Sequence, residues 1–402
     1  MTTPTPSGLC HYSPRQPLVL VTDYAPDSSG GGAVILRGLL TPAERERTVW
    51  VTLSPFDPEA AGGWCGMERL THASGSFWRD ASLHAGAITD DLLAVARSRN
   101  ARALWLVMHG AVVPVAARLV QVDALPVHLT VHDDPVGQVF GSRKYLTLTP
   151  WVSRWLTTGL RGAQSVDAIC EAMAAHYRHR LGVASLVVHR GTTGPVAPSP
   201  AHDRSKGFSV GVIGSIYQYA MMPVLGRAVA RGAKQLGTTG SILVVGRGVG
   251  ARLQEALAGV VAVEATGHLD EPEAIARLRE CFLLYVNYPF GPRQGVFRRT
   301  SFPTKLSTYA LTARPLLVHM PADGSVVALT TSAPNGYATH WGSLDEDEGA
   351  EIMVRLWNDP SSHRSVHEAA EAVRSRYFDI ERNRTTLLSA LDALVAPPPL
   401  GP

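Results

Sequence analysis

Short, almost uninterrupted apolar runs recur along this chain, separated by amphipathic stretches, and no other feature constrains its fold as tightly. In the first half the runs are Pro17–Tyr24 (PLVLVTDY), Thr48–Ser54 (TVWVTLS), Ala103–Gly110 (ALWLVMHG) and Val127–Asp133 (VHLTVHD), with a shorter one at Ser185–His189. A strand with one wet face alternates apolar and polar residues. A strand apolar throughout is buried on both faces, as in a parallel sheet covered by helices. Helical patterns such as Asp90–Ser98 and Val112–Val122 lie between the runs. Thr192–Gly207 (TTGPVAPSPAHDRSKG) is rich in Pro, Gly and Ser and reads as a linker. The alternation then restarts with Ser209–Ser215, Ser241–Arg247, Val260–Gly267, Cys281–Tyr288 and Pro315–Met320, spaced by helical stretches that include Leu225–Leu236 and Pro272–Leu278. The expected fold class is α/β: two tandem Rossmann-like, doubly wound parallel-sheet domains with an interdomain cleft. The expected boundaries are 1–195, 208–375 and a C-terminal segment 376–402. The last helical pattern, about Glu381–Leu394, is stopped by Ala-Pro-Pro-Pro and is expected to pack back on the N-terminal domain.

Composition agrees with a chain of this kind. At 402 residues, two cores are the default, and 45% hydrophobic with 18% charged residues is ordinary globular usage. The formal charge of +3 comes from scattered residues, so no nucleic-acid footprint is expected. Cys10, Cys65, Cys170 and Cys281 are far apart and form no CxxC pair, which predicts reduced thiols, no metal site and a cytoplasmic setting. The N-terminus lacks the basic start and apolar core of a signal peptide, and no run approaches the roughly 20 residues of a membrane span.

Open α/β sheets bind ligands beyond the carboxyl ends of their strands, so the residues after each strand are the candidates. Four features stand there. Asp23 to Gly32 ends in Gly30, Gly31 and Gly32 before a helix, a place where backbone can approach an anion; the plainer alternative is a flexible turn. His132, Asp133 and Asp134 end the fourth strand and could meet sugar hydroxyls or position a proton, or else be a satisfied histidine and a helix cap; His109, followed by Gly110, joins the same surface. Gly246-x-Gly248-x-x-Ala251, followed by a strand carrying Glu264, formally satisfies a dinucleotide fingerprint and carries the rival reading of an NAD- or FAD-dependent oxidoreductase. Finally, Ser301, Phe302, Pro303 and Thr304 lie where a helix would begin, with Lys305 close by. Free backbone N–H groups and an ammonium there suit a diphosphate, and a plain helix cap with a solvated lysine is the alternative. Arg293, Arg298 and Arg299 add positive charge to that loop.

In this order and spacing the features resemble the glycosyltransferases of GT-B fold, particularly the large retaining family 4, over nearly the whole chain. Leu125-Pro-Val-His-Leu-Thr-Val-His132-Asp133 is similar to the family's "LPxVxTxHD" strand, and Ser165 to Glu171 with Val187 to Gly191 to its "AD-x-V-x-x-x-S" to "V-x-x-G" stretch. Gly214-Ser215 and Val244-Val-Gly246-Arg-Gly248 resemble its two C-terminal-domain glycine turns. Most specific is Phe302-Pro-Thr-Lys305-Leu-x-x-Tyr309 with Ala313-Arg-Pro315, similar to "P-x-K-L-x-E-Y-x-A-x-G-x-P". The resemblance implies a nucleotide-diphosphate sugar donor in the C-terminal domain and a small-molecule acceptor in the N-terminal one. It implies transfer with retention, in which the leaving phosphate takes the acceptor's proton, with no metal and no other cofactor. A place in natural-product biosynthesis and a homodimer are compatible with it; a nucleic-acid partner and a membrane span are not expected. The site residues it implies are His132 and Asp133 for catalysis, and Gly31, Gly32, Ser215, Arg247, His268, Thr300, Ser301, Phe302, Pro303, Thr304, Lys305 and Thr308 for the donor.

The chain departs from the family pattern at two places. Thr300 and Thr308 stand where the family has glutamates, one near the sugar hydroxyls and one holding the ribose. A threonine hydroxyl is shorter and uncharged and cannot accept two ribose hydrogen bonds as a carboxylate can. The family's Arg–Lys pair after the first C-domain strand is replaced by Ser215-Ile-Tyr-Gln-Tyr-Ala-Met-Met. Three consequences are open: an unusual donor, a changed ribose contact, or a non-catalytic glycosyltransferase-like partner protein.

Overall fold

The computed structural model describes residues 17–395 except 27, 29, 55–63, 71–78, 199–201, 333–336 and 360–364. The chain divides into two compact units, Met1–Arg190 with Ile380–Pro402, and Gly191–Asp379.

In the first unit, β1 (Leu18–Thr22), α1 (Gly31–Leu39), α2 (Pro42–Glu46), β2 (Thr48–Thr52), β3 (Gly66–Arg69), α3 (Arg79–Ser98), β4 (Ala103–Val107), α4 (Val112–Val122), β5 (Val127–Val131), α5 (Pro135–Gly141), α6 (Thr149–Gly162), β6 (Ser165–Ala168), α7 (Glu171–Leu181) and β7 (Leu186–Val187) follow one another. The sheet order is β3-β2-β1-β4-β5-β6-β7, and every pairing is parallel. Every residue of β1, β2, β4 and β5 is buried, which is why these strands read as continuous apolar runs. β3 and β6 escape that signal. β3 lies at the edge and is only half-buried, and β6 (Ser-Val-Asp-Ala) carries polar groups into the core.

One oxygen of Asp167 gathers these groups into a network, while its other oxygen, Oδ1, is buried with no hydrogen-bond partner among the described residues. His128 on β5 bonds Ser165 Oγ through Nδ1 and the Asp167 carboxylate through Nε2, both at 2.7 Å. Thr130 Oγ1 donates to the same carboxylate and accepts from Trp105 Nε1 at 2.8 Å. Trp105, His128, Thr130 and Asp167 are buried and Ser165 is half-buried, and an unpaired polar group in such a place is costly.

In the second unit, β8 (Phe208–Ile213), α8 (Met222–Gln235), β9 (Gly240–Val245), α9 (Gly250–Ala256), β10 (Ala262–Gly267), α10 (Glu271–Leu278), β11 (Leu283–Asn287), α11 (Gly295–Thr300), α12 (Lys305–Thr312), β12 (Leu316–His319), α13 (Ala328–Ser332), β13 (Ala338–Trp341), α14 (Glu346–Asn358) and α15 (Val366–Tyr377) repeat the plan. The order β10-β9-β8-β11-β12-β13, again all parallel, is the 3-2-1-4-5-6 order of dinucleotide-binding folds when counted within the unit. The core gathers Phe208, Phe282, Trp341 and Trp357 with the aliphatic residues of β8, β9 and α8.

The last helix, α16 (Ile380–Val395), belongs to the first unit. Arg384 Nε donates to Leu39 O at 2.9 Å, Asn383 Oδ1 accepts from the His189 amide at 2.9 Å, and Asp392 pairs with the buried Arg47 at 2.9 Å.

Asp167→Ala would strip His128 and Thr130 of their shared acceptor. It is expected to destabilise the first unit by about 2–4 kcal/mol, read as a lower urea midpoint in tryptophan fluorescence, with Trp105 as the local reporter.

Candidate functional site

In each sheet the order reverses beside the first strand, at β1/β4 and at β8/β11. The carboxyl ends there open a crevice in which such folds bind ligands. At the first of these points β1 delivers Asp23 and β4 delivers His109. The Asp23 carboxylate, 3% exposed, receives His109 Nδ1 at 2.8 and 2.9 Å to its two oxygens, while the imidazole keeps 36% of its surface in contact with solvent. Burial works to lower the His109 pKa, but the hydrogen bond and charge of Asp23, with the more distant Asp133, outweigh it and raise the pKa above the ordinary imidazole value. A buried carboxylate that orients an imidazole is the arrangement that lets histidine hold and pass a proton.

His132, one residue past β5, is treated in the opposite way. Its Nδ1 is enclosed with no hydrogen-bond partner among the described residues, and burial lowers its pKa to about 4. At neutral pH it is an uncharged ring able to meet a hydroxyl. Asp133 is half-buried beside it. Asp134 is structural: its carboxylate caps α5 through the Gly137 amide at 2.7 Å and accepts the Tyr177 hydroxyl at 2.9 Å. The glycine loop meets a constraint the sequence did not announce. A Cβ on Gly32 would lie 2.6 Å from the Tyr24 hydroxyl oxygen, so the Tyr24 ring itself occupies the space beside the start of α1. Gly31 is exposed and Gly32 half-buried.

In the second unit, two glycine turns meet at the carboxyl edge. Gly246 has φ 150°, and a Cβ there would stand 3.4 Å from Gly214 Cα, so the loops after β8 and β9 touch through bare backbone. Lys305 opens α12, whose N-cap Thr304 makes no side-chain capping bond and whose first turn holds no acidic residue. The ammonium donates to the Ser215 carbonyl and sits 5.2 Å over the Tyr217 ring, which stacks on Tyr288. Burial of this end lowers the Lys305 pKa to about 7.

The other candidates divide. Arg247 and His268 are exposed and make no hydrogen bond among the described residues. The Ser301 amide is spent on the Phe297 carbonyl at 2.8 Å, ending α11, and Pro303 has no N–H, so the amide set before Lys305 is smaller than the sequence suggested. Phe302 packs on Tyr377 and Phe378. Thr300 Oγ1 turns into its own helix and donates to Val296 O at 2.7 Å, whereas Thr308 Oγ1 donates to Glu271 Oε1 at 2.7 Å. Arg298 and Arg299 both pair with Asp323, so they add less positive charge to the loop than the sequence suggested. Glu264, the acidic member of the dinucleotide pattern, pairs with Arg277 on the exposed edge strand β10. Sequence reasoning gave His109 a minor place and missed the role of Asp23. The two are 86 residues apart, and only the adjacency of β1 and β4 joins them. Glu271 was missed because nothing local marks it.

Asp23→Asn removes the charge that outweighs burial. The His109 imidazole is then expected to titrate at lower pH than in the unaltered protein, as followed by its ring resonances in NMR. An unchanged midpoint would show that the pair does not control the ring.

No family model matches the sequence, and no curated protein matches it. Solved structures do. Sucrose-phosphate synthase from Thermosynechococcus elongatus aligns with a TM-score of 0.72 at 16% identity over 94% of this chain and 99% of that one. HepE of Anabaena, in complex with UDP and glucose, aligns at 0.67 and 16% over 94% and 100%. α,α-Trehalose 6-phosphate synthase from Burkholderia multivorans aligns at 0.59 and 15% over 94% and 97%. The structural neighbours are GT-B glycosyltransferases, and the likeness extends over both units, so the chain has the GT-B fold: two Rossmann-like domains, each a parallel sheet flanked by helices.

Proposed function

We propose that this protein is a glycosyltransferase that moves a sugar from a nucleotide-diphosphate sugar to a small-molecule acceptor. The observation that carries the reading is Lys305: a lysine lowered to about 7, at the uncapped start of α12, beside two glycine turns at the ligand edge of the second unit. An ammonium kept there at the cost of its hydration is explained by an anion that restores its charge. The UDP bound to HepE supports a nucleoside diphosphate as that anion. In this reading the leaving diphosphate is met by Lys305 and the start of α12, and no metal is assigned. Among the described residues no group of three or more His, Cys, Asp or Glu is placed to hold one. The rival dinucleotide reading loses support from Glu264, whose carboxylate is engaged by Arg277.

In the first unit we assign the acceptor to the surface of Asp23, His109, His132 and Asp133. The resemblance implies that the leaving phosphate itself takes the acceptor's proton, with retention. The oriented His109 is a second group able to hold that proton. Neutral His132 is assigned to a hydroxyl of the reacting sugar. Among the described residues no helix is long and apolar enough to cross a membrane. We propose a cytoplasmic, biosynthetic setting.

Calorimetry against UDP, ADP and GDP tests the donor half of the reading, and binding of at least one is expected. Lys305→Ala should weaken that ligand roughly 10- to 100-fold, the range of a lost charge-assisted hydrogen bond. Because the bound anion raises the Lys305 pKa, affinity should be flat below about pH 7 and fall as pH rises above it, with proton uptake on binding in that range. The same lysine weakens the unliganded fold. Its pKa is depressed, so the unfolded chain binds more protons between about 7 and its ordinary value, and stability rises with pH across that window. Lys305→Met should therefore unfold at higher denaturant than the unaltered protein at pH 6, with the gap closing as pH approaches 10. Turnover of any nucleotide sugar would exclude a non-catalytic role.

A further inference from the structure

On the first unit, α6 has an outer face that neither the donor nor the acceptor assignment uses. Its inner residues Val152, Leu156, Gly159 and Leu160 are buried. A Cβ on Gly159 would stand 3.4 Å from Met108 and 3.5 Å from Leu129, so the helix is seated closely on the sheet and cannot roll its outer face inward. That outer face recurs at helical spacing as Trp151, Arg154, Trp155, Thr158 and Arg161. Trp151 leaves 56% of its surface in water, although an indole ordinarily hides most of its area. Arg154 and Arg161 are exposed and Trp155 is half-buried. Phe140, on the α5 helix that packs against α6, is also exposed.

The charge of this surface has one sign. Residues 135–166 contain Arg143, Lys144, Arg154 and Arg161 and no Asp or Glu, although the whole chain carries a formal charge of only +3. Arg180 joins them from α7, donating through Nη2 to Ser153 Oγ at 3.2 Å. The bordering carboxylates are engaged elsewhere. Asp134 caps α5 and accepts from Tyr177, Asp167 lies in the buried network, and Glu171 approaches His189 at 3.6 Å. Among the described residues the cations of this face form no ion pair; Arg161 Nε meets the Leu181 carbonyl at 3.2 Å and the Lys144 ammonium lies 5.1 Å over the Tyr145 ring. Arg227 and Arg231 on the second unit show the ordinary alternative, each paired with an acidic residue of α14. A small anion would occupy one or two of these cations and leave the indoles in water. A helix face of 14 residues, about 20 Å long, with tryptophan set among cations suits the boundary between anionic headgroups and acyl chains. Among the described residues no helix can cross a membrane, so the contact is one of lying on the surface.

We propose that the first unit docks on an anionic lipid surface through the outer face of α6, joined by Arg143, Lys144 and Arg180. The proposal is independent of the nucleotide-sugar reading and stands or falls without it. The test is co-sedimentation of the full chain with vesicles of phosphatidylcholine alone and with vesicles of equal parts phosphatidylcholine and phosphatidylglycerol. The protein is expected to pellet with the mixed vesicles at low salt, to be released as salt is raised, and to stay in solution with the neutral ones. Arg143→Gln with Arg154→Gln should weaken binding roughly 10- to 30-fold, about five-fold for each cation lost from the surface. Trp151→Ser should weaken it by about 10-fold through the lost apolar contact. Lys234→Gln, an exposed cation of α8 in the second unit, should leave binding unchanged, which separates this face from net charge. The α6 variants alter exposed side chains and should keep the urea midpoint of the unaltered protein. If the unaltered protein pellets with neither vesicle, or with both alike, the assignment is overturned. It is equally overturned if the α6 variants bind as the unaltered protein does. Capture by heparin without binding to the mixed vesicles would give the face to a soluble polyanion instead and would also overturn it.

Discussion

A parallel strand buried on both faces can display polar side chains only at its ends, and that constraint organises the whole molecule. β1, β2, β4, β5 and β11 spend every side chain on the core. Because all strands of a sheet run the same way, their carboxyl ends share one edge, and whatever chemistry the chain performs collects there. Asp23, His109 and His132 are each the first or second residue past a strand. Gly214 and Gly246 follow β8 and β9 in the same manner, and Glu271 lies beyond β10.

At that edge, burial and charge are set against each other to choose protonation states. His109 and His132 leave neighbouring strands of one sheet, yet a carboxylate holds the first above the usual imidazole range and enclosure pushes the second down to about 4. His319, at the end of β12, follows the second pattern: burial lowers it to about 4 while it stacks on Trp341 at 3.6 Å and bonds Tyr285 and the Ser343 carbonyl. Satisfied on both nitrogens, it serves packing. Lys305 is the cationic counterpart, half-buried and left to carbonyl and aromatic contacts. A lone residue type therefore says little about role; the partner on the adjacent strand decides it.

The sequence made the central strands legible because double burial writes a continuous apolar run. It concealed β3, β6 and β13 because an edge strand, or one carrying Asp167 or His340, loses that run. The motif around Lys305 was legible because α12 is local, and its start at Thr304 and Lys305 matches the expected helix start. What could not be read was pairing at a distance. Asp23 with His109 depends on β1 lying beside β4, and Thr308 with Glu271 depends on α10 lying beside α12. The spacing rule pointed to Glu264, and the fold gives that residue to Arg277 instead. Similarly, Arg298 and Arg299 read as free charge until Asp323 is seen to hold both.

The return of α16 to the first unit has a consequence for how the molecule is made. The second unit is one continuous stretch of chain, whereas the first is interrupted by it and lacks a helix until residues 380–395 have emerged. Until then the buried Arg47 has no Asp392, and the His189 amide has no Asn383 to receive it. During synthesis from the N-terminus, the inserted unit can close on itself first, and the interrupted one is sealed last. Two crossings of the chain then tether the units where a single linker would leave one, so any motion of one against the other must bend the polypeptide in two places at once.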